Sequence, residues 1–204
     1  MDKFKMLPQE RQNSIATAAM SVFGAAGYKK TYISEIAAAA GISKSLVFHY
    51  FGTKKALYFY LIEYSGKIMV NEINEKRDTA NTDFFERVIN ATKLKLSIVS
   101  RYPEMSGFLT SIYHENDPDV APEIKKMFSQ GEGVRNQIAL EGINENKFKD
   151  NVDPKQVLNI LVKFTEGVVG SRLDKTISLD EVMSEFMQCV SLLKNNLYKE
   201  EFLK

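Results

Sequence analysis

The chain has 204 residues, 44% hydrophobic and 26% charged, a balance that excludes a disordered or fibrous protein and suits one large or two small folded domains. Its apolar runs are broken by polar residues every few positions, so none approaches the roughly 18 residues that a membrane span needs. The net charge is only +1, and one cysteine, Cys189, excludes an internal disulfide and fits a reducing cytoplasm. The start, MDKFKMLPQERQ, lacks the apolar core of a secretory signal.

Charge is unevenly spread. Residues 1–67 hold nine Lys or Arg against four Asp or Glu, while residues 68–204 hold eighteen against twenty-two. A basic first third on an acidic remainder suggests that one end meets a polyanion.

In chain order, Ile15, Ala19, Val22 and Ala26 recur at helical spacing after Pro8, and Gly27 ends the run as a C-terminal cap. Thr31 is expected to cap a helix over ISEIAAAA, which Gly41 closes. Ser43 caps the short, aromatic KSLVFHYF, and Thr53 caps a long helix from Lys54 to about Arg77. Further helices are predicted at about 83–101, 104–115, 118–143, 153–172 and 178–199. Pro103, Asn116-Asp117-Pro118, the polar stretch 144–151 and Lys175-Thr176-Ile177-Ser178 supply the breaks. No strand-like alternation of useful length occurs, so the fold class is all-α.

Helix, Gly-Ile-Ser turn and short helix describe a helix-turn-helix within a three-helix unit. Ile36 and Ala37 would face Val47 and Phe51 in its core, with Gly41 supplying the left-handed turn. That leaves Lys44, Ser45, Leu46, Phe48, His49 and Tyr50 towards the outer side of a helix too short to bury them all. A recognition helix presents such residues to base edges and phosphates in the major groove, and two or three turns cross it. Lys54, in the first turn of the next helix, could grip a phosphate. His49 alone could equally be a structural histidine, the ring of Tyr50 could pack, and Lys29 and Lys30 suit a solvated pair.

Residues 9–57 resemble the DNA-binding domain of the tetracycline-repressor (TetR) family. The residues that carry the resemblance are Ala16, Phe23, Gly27, Tyr28, Thr31, Ile36, Ala37, Gly41, Ser43, the run Val47-Phe48-His49-Tyr50-Phe51, then Lys54, Ala56 and Leu57. It implies a DNA-binding head over 1–55 and a variable helical ligand-binding and dimerisation bundle over 56–204, in a homodimeric repressor. It adds Thr31, Tyr32 and Ser34 to the candidate DNA contacts. Ser34 stands where many members carry Arg or Lys, Leu46 where Thr is frequent, and Gly52 where Pro is frequent.

The C-terminal part offers two further sets. Leu161, Gly167, Val168 and Gly170 on one predicted helix, with Val182, Phe186, Val190 and Leu193 on the next, are candidates for a four-helix dimer interface, or else complete a protomer core. Cys189, on the apolar side of FMQCVSLL, suits packing better than redox chemistry. Tyr102, Met105, Phe108, Leu109, Ile112, Tyr113, Phe128, Ile138 and Phe164 could line a pocket for a mostly apolar effector, with Tyr113 or His114 as a polar handle. No metal-ligand spacing, phosphate loop or catalytic triad appears, so no cofactor and no enzyme activity are expected. The rival from another class is a helical enzyme or small-molecule carrier with a vestigial head.

Overall fold

The computed structural model describes residues 2–170 and 178–203. Among them lie ten α-helices: α1 (Asp2–Lys5), α2 (Gln9–Lys30), α3 (Ile33–Ala39), α4 (Lys44–Phe51), α5 (Lys54–Lys76), α6 (Phe84–Arg101), α7 (Pro103–Tyr113), α8 (Ala121–Leu140), α9 (Pro154–Gly170) and α10 (Leu179–Leu197). No strand forms among the described residues; Phe148 and Tyr198 share an isolated antiparallel bridge. No described helix is long and apolar enough to cross a membrane. The end of the helix expected at 153–172 and most of the break at 175–178 lie outside the described residues.

Two compact units arise, one of residues 1–71 and 98–126, the other of 72–97 and 127–204. This differs from a cut at 55/56, because most of α5 and all of α7 pack with the head. In the first unit α7 lies along α2 so closely that a Cβ on Gly24 would stand 2.9 Å from the backbone nitrogen of Phe108. Glycine here is a requirement of close approach. Phe108 then meets Phe23 and Tyr58 at centroid distances of 6.2 and 5.4 Å, and all three rings are fully buried. The helix α1, which sequence did not foresee, drives Phe4 against Tyr50, Phe51 and Tyr60.

The second unit is centred on Phe84, Phe85, Phe148, Leu158, Leu161, Phe186, Val190 and Tyr198. Backbone bonds from Lys149 N to the Leu197 carbonyl (2.8 Å) and from Lys199 N to the Lys147 carbonyl (2.9 Å) tie the 144–151 stretch to the C-terminus. Asp83 caps α6, accepting from Glu86 N at 3.0 Å, and its other oxygen accepts from Lys147 Nζ at 2.8 Å.

Candidate nucleic-acid interface

The outer face of α4 is set by what its inner face must bury. Val47, Tyr50 and Phe51 are buried, at i, i+3 and i+4, and they turn Lys44, Ser45, Phe48 and His49 to solvent. The helix begins at a Ser43 cap whose Oγ accepts from Leu46 N at 3.1 Å and lies 2.9 Å from Ser45 Oγ. It ends at Gly52, whose φ of 75° is open to glycine at little cost. Gly41, at φ 61°, makes the turn between α3 and α4, and Arg11 Nη2 donates to its carbonyl at 3.4 Å.

Around this face Tyr32 (67% exposed) and Ser34 lie open to solvent at the start of α3. Phe48 is 41% exposed, a large apolar ring left uncovered beside hydroxyls and a lysine. Leu46 is half-buried. Together these side chains form a short convex strip with donors, acceptors and apolar contacts of the kinds that base edges and thymine methyls accept.

Three expected contacts sit differently. Thr31 is only 1% exposed, and its Oγ1 donates backwards to the Gly27 carbonyl at 2.7 Å. It closes α2, which kinks at Gly27 (φ 72°, ψ 172°), and does not cap α3. The N-cap there is Tyr32, whose N–H donates to Glu35 Oε2 at 2.9 Å. Tyr50 is 9% exposed, its ring edge-on to Phe4 at 5.6 Å, so packing wins over presentation. Lys54 is half-buried and directed at protein: its Nζ donates to the carbonyls of Tyr28 (3.0 Å), Thr31 (3.2 Å) and Lys29 (3.5 Å), and lies 4.4 Å from the Tyr28 ring centroid. An ammonium over the last carbonyls of a helix is favourable in itself.

Lys54 belongs to a larger knot. Tyr28 N–H donates to Glu115 Oε2 at 2.8 Å, and its hydroxyl donates to Asp119 Oδ2 at 2.6 Å. Lys55 Nζ donates to the Asp119 carbonyl and pairs with Oδ1 at 3.3 Å. Burial, then the hydrogen bond to Asp119, raises the Tyr28 phenol above its ordinary range; that same bond and the one from Lys55 hold the Asp119 carboxyl below its own. Sequence gave no sign of this group, because its members stand up to 91 residues apart.

The expected effector set divides between the units. Met105, Phe108 and Ile112 are buried on the side of α7 that meets α2, so they serve the first unit's core. Leu109 is half-buried, and Tyr102 (40%), Tyr113 (51%) and His114 are exposed. In the second unit Phe128 is 43% exposed, Phe164 is half-buried, and Ile138 lines a cavity described below.

The expected dimer set is corrected in part. Leu161, Val182, Phe186 and Val190 are 1–3% exposed, spent inside the protomer, and Leu193 and Cys189 pack against the same core. The face that α9 and α10 leave uncovered carries Ile160 (53%), Met187 (38%) and Leu192 (64%). Gly167 is exposed, and a Cβ there would meet nothing within 4 Å. Val168 is half-buried, and Gly170 ends the described part of α9, with its surroundings outside the described residues.

Residues 15–61 match the family model described as "Bacterial regulatory proteins, tetR family". No curated protein matches the chain in sequence. Among solved structures, a TetR family transcriptional regulator from Chloroflexus aurantiacus is similar at TM-score 0.69 and 18% identity, over 98% of this chain and 99% of that one. SmeT, described as the repressor of the Stenotrophomonas maltophilia multidrug efflux pump SmeDEF, gives 0.73 and 15%, over 97% and 93%. The transcriptional regulator FadR from Bacillus subtilis, in complex with stearoyl-CoA, gives 0.67 and 17%, over 91% and 99%. The helix-turn-helix geometry and the model match over that same segment identify residues 15–61 as a TetR-family DNA-binding segment, and the rest of the chain shares the fold of these regulators.

Proposed function

We propose that the protein is a cytoplasmic, homodimeric repressor that leaves a palindromic operator when a small effector binds. The observation that carries this reading is the uncovered strip of Tyr32, Ser34, Lys44, Ser45, Phe48 and His49, a surface that no intramolecular packing needs. Base preference falls to Ser45, Leu46 and Phe48, and phosphate contact to Lys44 and His49. Thr31, Tyr50 and Lys54 act behind them, by fixing where α3 and α4 stand. The dimer forms through α9 and α10, with Ile160, Gly167, Met187 and Leu192 at the contact. Two recognition helices then enter successive major grooves about 34–36 Å apart.

The effector is mostly apolar with one polar end. SmeT, described as a repressor, and FadR, in complex with stearoyl-CoA, have a like fold and support repression and a ligand with an apolar chain respectively. It acts by preferring the arrangement whose heads are wrongly spaced; by reciprocity, operator weakens its binding by the same factor. Selection of bound sequences from random duplex DNA tests the whole reading. The expected product is a two-fold symmetric site with half-sites a helical turn, or a multiple of one, apart; recovery of no enriched sequence refutes it.

A further inference from the structure

The second unit holds a cavity of about 280 Å³ near the end of α5, the stretch of α6 from Arg87 to Leu94 and the end of α8. Four cations line it, Lys76, Arg77, Arg87 and Lys93, against one acid, Asp78. Leu94 and Ile138 supply apolar wall. Lys76 is partly neutralised by Glu72, 2.8 Å away. Arg77, Arg87 and Lys93 form no ion pair among the described residues.

Structural duties account for Arg87 only in part. Its Nη1 and Nη2 donate to the carbonyls of Glu141 (2.5 Å) and Ile138 (2.9 Å), closing the end of α8. That satisfies donors without supplying a counter-charge. Burial, and then the like charge of Arg77, depress the Arg87 guanidinium from its usual value, so the two cations feel each other. Arg77 Nε is shut away from solvent and has no acceptor. Crowded cations with an unsatisfied donor are unfavourable unless an anion joins them.

We propose that this cavity binds a small amphipathic anion, its carboxylate or phosphate head among Arg77, Arg87 and Lys93 and its short apolar part on Leu94 and Ile138. The site deepens the regulator reading, on which only the word effector rests. Guanidinium forks suit both oxyanion heads, and partial burial strengthens each contact. The volume sets the size: at the ~30 Å³ that a water molecule occupies, there is room for roughly nine or ten non-hydrogen atoms.

Calorimetric titration of the full chain with octanoate, butyl phosphate and octan-1-ol, each of nine or ten non-hydrogen atoms, tests this. At least one anion should bind at least about tenfold more tightly than the alcohol, and the two anion arms tell carboxylate from phosphate. The Arg77→Gln, Lys93→Gln double variant should lose about tenfold in anion affinity while its weak hold on octan-1-ol is kept. Should that variant fold poorly, Lys93→Gln alone, at an exposed position, must weaken the anion in the same direction. Equal binding of anion and alcohol, no binding of either, or undiminished affinity in the variants overturns the proposal. Operator binding by the same preparations separates the two readings. A protein that holds operator and ignores the anions keeps the regulator and loses the site; one that holds the anions and no DNA does the reverse.

Discussion

Lys54→Met tests whether the lysine that follows the recognition helix serves DNA or the fold. Methionine keeps the length and most of the apolar stem, so the change isolates the ammonium. In the protein that ammonium donates to three carbonyls within 3.5 Å and lies over the Tyr28 ring. Hydrogen bonds to a charged group contribute about 1.5–3 kcal/mol, and a cation over an aromatic ring about 0.5–1 kcal/mol when exposed. The three bonds share one donor and the side chain is half-exposed, so these values do not add, and about 2–3 kcal/mol is the expected loss. For a chain of this size that lowers Tm by roughly 4–12 °C. Thermal unfolding followed by circular dichroism, without DNA, reads it directly. A lysine that met only phosphate would leave Tm alone and reduce the salt slope of DNA binding by about 0.9. An unchanged Tm with a reduced slope refutes the clamp and restores the phosphate contact.

Gly24→Ala should cost about 1–3 kcal/mol in urea unfolding, because the new methyl meets the backbone of Gly107 and Phe108 at 2.9–3.0 Å and backbone cannot step aside. Gly167→Ala, with nothing near its Cβ, should instead be neutral or stabilise by up to about 1 kcal/mol, whereas Gly167→Leu should weaken the dimer in sedimentation. Leu192→Glu should leave the protomer folded and shift sedimentation to the monomer, since that side chain is 64% exposed and not in the core. Asp83 gives a pH signature. Burial alone would raise its carboxyl, but the bonds from Lys147 and from Glu86 N hold it below the usual value. A depressed folded pKa stabilises above the unfolded value of about 3.9, and that stability fades as pH falls through the folded pKa. Asp83→Asn should therefore be less stable than the parent at neutral pH, with the gap closing below about pH 4 in acid unfolding curves.

The head was legible because its boundaries are chemical. Gly27, Gly41 and Gly52 all take positive φ, and Ser43 caps α4 as its sequence position suggests. Thr31 was misread because a threonine hydroxyl can bond forwards as a cap or backwards to a carbonyl four residues earlier. The kink at Gly27 turns that carbonyl towards it, and Glu35 is left to serve Tyr32 N. The proposed dimer face is hard to read in the sequence for a different reason. The strongest apolar stripe on α10, Val182, Phe186 and Val190, is the one its own protomer buries first. The stripe left uncovered is the weaker one beside it, and Met187 and Leu192 among serines and glutamine give little periodic signal. The cationic cavity escaped too, since Arg77, Arg87 and Lys93 read as solvated charges until α8 is brought beside them.

The knot around Tyr28 also constrains how a regulator of this kind can switch. It joins the last turn of α2, the first turn of α5 and the segment after α7, all within the first unit. Only Gly52 and Thr53 separate Lys54 from α4, so the recognition helix cannot swing freely while Lys54 holds its three carbonyls. The close packing at Gly24 forbids α7 to slide along α2 without clashing backbone on backbone. The head, α7 and residues 115–119 are therefore bound to move together as one piece, or to part only by breaking the bonds to Glu115 and Asp119. In the proposed dimer, movement as one piece would change the spacing between two heads while each stays folded. Parting would instead loosen the reading surface itself. Since the apolar core of Phe23, Tyr58 and Phe108 would have to open in the second case and not in the first, rigid displacement is the cheaper route to release. A coupling of about 2.7 kcal/mol gives a hundredfold change in operator affinity, less than the cost of exposing even two such rings.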